Sequence, residues 1–63
     1  MKVTPEQYQA LLIEWAGQCA FCVTPIHADD LVFDHIIPLS KGGNHVPENL
    51  RPAHYACNLK NNK

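Results

Sequence analysis

Tyr8, Leu11, Leu12 and Trp15 recur at i, i+3, i+4 and i+7 in the segment TPEQYQALLIEWAG, while Gln7, Gln9 and Glu14 fall off that line. The spacing predicts one apolar stripe along an α-helix. Both ends carry local signals. Thr4 suits an N-cap, Gln7 three residues later completes a capping-box pattern, and Pro5 takes the first helical position, where no N–H is needed. Gly17 is the expected stop. The helix is predicted over 4–17, its stripe facing the core.

Beyond that helix the pattern shortens. QCAFCVTP reads as a tight turn ended by Thr24 and Pro25, and IHADD as a polar connection. LVFDHI, rich in β-branched and aromatic residues, predicts a short strand that Pro38 stops. SKGGNHVPEN follows as a loop, in which Gly42 and Gly43 are expected to supply positive φ or a close backbone approach. LRPA predicts a brief second strand that Pro52 confines to an edge. HYACNLKNNK predicts a short last helix of poor intrinsic propensity, so something else must hold it.

Composition narrows the means. A chain of 63 residues makes one domain, 1–63. A domain this small buries only about 60% of its unfolded surface, so many lean on a metal, a disulfide or a partner. No apolar run reaches the roughly 18–20 residues that span a membrane. The start MKVTPEQYQA lacks the apolar core of a signal peptide, so a cytoplasmic protein is expected. Three cysteines, an odd number, argue against a closed disulfide framework. In a reducing compartment CAFC is instead a metal-ligand pair or a redox pair. A second pair with the same gap, His54-Tyr-Ala-Cys57, favours metal. Cys19, Cys22, His54 and Cys57 together offer three thiolates and one imidazole, a closed tetrahedral set for structural zinc. The plainer alternative is three small buried cysteines and a histidine at a helix end. A redox reading lacks the βαβ pattern that usually surrounds such a motif.

The order CxxC, DHIIPLSKGG, ENL and CN resembles the HNH endonuclease family over about residues 19–60. The resemblance implies a small α+β fold: a ββα-metal motif of two short strands, a long loop and a helix, here preceded by an N-terminal helix and fastened by one zinc. It assigns the family's first histidine to His35, its middle asparagine to Asn49 and its last position to Asn58. Asp34 matches the acidic residue that ligates the catalytic metal. The sequence departs from the pattern at three places: His54 stands for the first cysteine of the second pair, Val23 for a frequent glycine after the first pair, and Asn61 for a frequent lysine.

The residue types suit that assignment. Phosphodiester hydrolysis needs an activated water, neutralisation of charge on the phosphate and help for the departing 3′ oxygen. Mg²⁺, or another divalent ion such as Mn²⁺, takes oxygen ligands, which the Asp34 carboxylate and Asn58 amide offer. His35 is the natural general base, although strand alternation sends it to the opposite side of the backbone from Asp34. Asn49, by itself an ordinary turn residue, is expected to hold the long loop. Lys41, Arg51, Lys60 and Lys63 are candidate phosphate contacts, with a solvated surface charge the alternative for each. His45 is a further candidate at the phosphate, with an ordinary loop residue the favoured reading, and Gly42 and Gly43 could allow the backbone close approach to a phosphate. The expected activity is a metal-dependent endonuclease on DNA, of low sequence specificity because no recognition domain is appended, acting as a monomer or a weak homodimer.

Charge supports a different class of function. Lys and Arg total 5 against 6 Asp and Glu, a formal charge of −1, where nucleic-acid binders usually show a basic excess. Three zinc-bound thiolates and the ion move this to about −2. A zinc-stabilised nucleic-acid-binding module with little catalysis is therefore the competing expectation.

Overall fold

A computed structural model describes residues 2–61, so Lys63 lies outside the described residues. Helix α1 spans Pro5–Glu14, strands β1 and β2 span Leu31–His35 and Leu50–His54, and helix α2 spans Tyr55–Asn61. Short 3-10 turns at Ala28–Asp30, Leu39–Lys41 and Pro47–Asn49 fill the connections. No helix among the described residues is long and apolar enough to cross a membrane.

The start of α1 follows from its sequence. The Thr4 hydroxyl accepts from the Gln7 N–H at 3.2 Å, and the Gln7 side chain accepts from the Thr4 N–H at 2.8 Å, a reciprocal capping box. The end comes three residues before the expected Gly17. Ala16 and Gly17 both adopt left-handed backbone (φ 56° and 67°), which closes the helix with the Gly17 N–H bonded to the Leu12 carbonyl. Of the predicted stripe only Leu11 is fully buried; Tyr8, Leu12 and Trp15 are half-buried.

β1 and β2 pair antiparallel with Leu31 opposite His54, Phe33 opposite Pro52, Asp34 opposite Arg51 and His35 opposite Leu50. Pro52 sits mid-strand without loss. Its carbonyl turns away from β1 to accept the Ala20 N–H at 2.9 Å, and its missing N–H lies on the same outer edge, where no ladder bond is due. That bond docks the Cys19–Cys22 turn onto β2. Leu11, Cys19, Leu50, Pro52 and Ala53 make the small core, and α2 packs against both strands.

Candidate functional site

Two centres stand side by side. The first gathers Cys19 and Cys22 from the turn, His54 from the end of β2 and Cys57 from α2, their ligand atoms all within 4.8 Å of one another. His54 Nδ1 lies 3.3 Å from Cys22 Sγ and 3.9 Å from Cys57 Sγ. Around a tetrahedral zinc with Zn–S and Zn–N bonds of ordinary length, ligand atoms stand about 3.6–3.8 Å apart. The donor set therefore fits zinc in both chemistry and spacing. Next to it, His54 Nε2 lies 3.1 Å from the Pro25 carbonyl and donates to it, which fixes the tautomer and leaves Nδ1 free as a ligand. The Phe21 N–H reaches Cys19 Sγ at 3.4 Å.

The four groups share protons unequally. Burial pushes the Cys19 thiol up, but hydrogen bonds from the backbone N–H groups of Cys22, His54 and Phe21 outweigh it and lower its pKa to about 6. The Thr24 hydroxyl and N–H lower Cys22. A hydrogen bond with Cys19 raises His54, against a downward pull from burial. Burial first, then hydrogen bonds with Cys22 and Cys19, push Cys57 up to about 11. Three thiolates packed this closely repel one another, and a dication is the natural counter-charge.

The second centre is a cleft of about 270 Å³ lined by Phe33, Asp34, His35, Pro38, Leu39, Ser40 and Asn58. Three of the four positions singled out as catalytic, from β1 and α2, thus share one concavity. Asp34 and His35 reach it although they leave β1 on opposite faces, because they stand at the strand's last two positions. Asn58 follows the cluster residue Cys57 directly, so a metal held by the cluster would anchor the turn of α2 that carries it.

Asn49 does not line the cleft. It is buried behind it, where its Oδ1 accepts from the Ile37 N–H at 2.8 Å and its Nδ2 donates to the carbonyls of Ile37 (3.0 Å) and Asn44 (2.9 Å). These bonds tie the two ends of the long loop together. Gly42 has φ 90°, as its left-handed turn requires. Gly43 is needed for close approach to protein rather than phosphate: a Cβ there would overlap the Ile37 carbonyl and come within 2.9 Å of Asn49 Nδ2.

Two candidate phosphate contacts also bond within the protein. Arg51, opposite Asp34 in the ladder, bonds its carboxylate through Nε at 2.9 Å and lies over the Phe21 ring at 4.6 Å. Its charge is balanced by Asp34, while only Nε is used in that bond. His45 lies in the loop, exposed, as expected, and there its Nδ1 lies 3.0 Å from His35 Nε2 and its Nε2 3.4 Å from the Tyr8 hydroxyl. Spacing along the chain carried no sign of that second link, because Tyr8 fits the α1 stripe as an ordinary core residue. Lys41 and Lys60 are exposed and make no ion pair among the described residues.

The model of the HNH endonuclease family matches residues 19–63, from the first cysteine onward. No curated protein matches the chain in sequence.

Proposed function

Because this chain belongs to the HNH endonuclease family, we propose that it is a metal-dependent endonuclease that hydrolyses DNA phosphodiester bonds. Membership supports a nuclease or nucleic-acid-associated role in general. The finer reading is carried by one observation: Asp34, His35 and Asn58 line the same cleft. A carboxylate and an amide oxygen suit a hard divalent ion. Bound there, Mg²⁺ or Mn²⁺ would neutralise charge on the scissile phosphate and favour departure of the 3′ oxygen. Neutral His35 takes a proton from water, whose oxygen bonds to phosphorus as the bond to the 3′ oxygen breaks; that oxygen is protonated from solvent. Arg51 fixes the Asp34 rotamer and balances its charge. Cys19, Cys22, His54 and Cys57 would hold a zinc, and four protein donors would give it a structural role.

Plasmid nicking across a series of divalent metals tests this. His35→Ala should lower the rate by about 10² or more while leaving the required metal concentration unchanged. Asp34→Ala should need more metal, and Asn58→Ala should do likewise but less, because a neutral amide oxygen binds a cation more weakly than a carboxylate. Undiminished cleavage by His35→Ala removes the base assignment.

The second reading, a zinc-stabilised nucleic-acid-binding module with little catalysis, is favoured by the formal charge of −1 and by the pairing of Asp34 with Arg51. Absence of cleavage by the parent protein with every metal would select it.

A further inference from the structure

A histidine that takes a proton from water must keep one ring nitrogen unprotonated, and the bond made by the other nitrogen decides which one that is. In this protein His35 Nε2 is engaged: His45 Nδ1 lies 3.0 Å away, the rings 5.2 Å apart and tilted by 55°. His45 is itself held from α1, where the Tyr8 hydroxyl lies 3.4 Å from its Nε2. Tyr8 is fixed in turn by ring contact with Phe33 of β1 at 4.7 Å. Phe33 and His35 leave β1 on the same face, which is why a residue of α1 comes within reach of the cleft. Tyr8 also precedes the stretch that matches the family model.

We propose that His45, backed by Tyr8, is a positioning residue that holds His35 as its Nε2–H tautomer and so leaves Nδ1 free to accept the proton of water. The inference rests on the reading of His35 as the general base. The polarity of the chain follows from proton counting, since a neutral imidazole carries one N–H. With Nδ1 of His35 free, its Nε2–H donates to His45 Nδ1, and the His45 Nε2–H donates to the Tyr8 oxygen. The opposite polarity, running from the Tyr8 O–H through His45 Nδ1–H to His35 Nε2, would leave the proton on His35 Nδ1 and no base. Once His35 has taken water's proton, its bond to neutral His45 becomes charge-assisted and shorter. The two links differ in strength: 3.0 Å is an ordinary hydrogen bond, whereas 3.4 Å is a weak one. His45 therefore carries most of the effect.

Two measurements on the zinc-loaded, full-length chain test the proposal. Ring-nitrogen NMR of the DNA-free protein, at a pH where the histidines are neutral, should find both His35 and His45 as single Nε2–H tautomers, and His35 as a tautomer mixture in His45→Ala. In nicking assays His45→Ala should lower kcat by about ten- to hundredfold with KM little changed. His45→Asn, whose Oδ1 can accept in place of Nδ1, should recover most of that loss, and Tyr8→Phe should lose only a few-fold. An Nδ1–H tautomer at His35 overturns the proposal, as does a His45→Ala spectrum or rate equal to the parent's. The parent spectrum decides the polarity even if His45→Ala fails to fold. A parent that shows the expected tautomers but cuts no DNA keeps the link and removes the nuclease reading instead.

Discussion

Asn49 shows how a side chain can support a cleft without lining it. Its amide serves the Ile37 N–H and two carbonyls across the loop, so removing it strips the loop's closure rather than any reacting group. Asn49→Ala should cost about 2 kcal/mol of stability. Gly43→Ala should cost more than Gly42→Ala, because a Cβ at Gly43 meets the Ile37 backbone, whereas Gly42 faces open space and bears only left-handed strain of about 1 kcal/mol. Denaturant melts of the three variants check this ranking; equal costs at Gly42 and Gly43 would contradict the packing. Val23 presents the reverse case. It is a β-branched residue at φ 59°, 65% exposed, so its side chain offers little burial in return for the strain. Val23→Gly should raise stability by up to about 1 kcal/mol, partly offset by the freer unfolded chain, with zinc content unchanged. A clear loss of stability on melting would mean that Val23 does more than its exposure indicates.

At the scale of elements, α2 is the most dependent part of the molecule. Seven residues make two turns, far short of the length at which an isolated helix persists in water, and none of them is fully buried. α2 packs against both strands, and Cys57, with His54 immediately before the helix, would tie its first turns to a metal held by the Cys/His cluster. A strong chelator should therefore abolish α2 helicity and separate Asn58 from Asp34 and His35. Circular dichroism with elemental analysis checks the outcome, and helicity retained after zinc has left would show that packing alone suffices. α1 relies on different resources, a complete capping box and the buried Leu11.

For the whole molecule, charge sets the limit on binding. Five cationic side chains exist, and Arg51 is already paired with Asp34. With its charge balanced there, at most four uncompensated cations remain, and log K against log salt should slope no more steeply than about −4. The net negative charge further makes binding weak without divalent ions. Fluorescence anisotropy with labelled DNA over a salt series measures this, and tight binding that survives high salt would point to recognition by something other than phosphate contacts.

Local patterns determined much of this protein. The capping residues of α1, the paired two-residue gaps of the metal ligands, and the strand bearing Asp34 and His35 were all legible because each depends on neighbours a few positions away. Register and packing decided the rest. Ala16 and Gly17 together ended α1 at Glu14, before the lone Gly17 expected to do so. Arg51 became the partner of Asp34 because antiparallel pairing set them opposite, 17 positions apart in the chain. The link from Tyr8 through His45 to His35 joins residues up to 37 positions apart, on a helix, a loop and a strand. No periodicity encodes such a contact. It exists because α1 packs against β2 and sets the Tyr8 ring on Phe33 of β1, and only the folded chain brings those surfaces together.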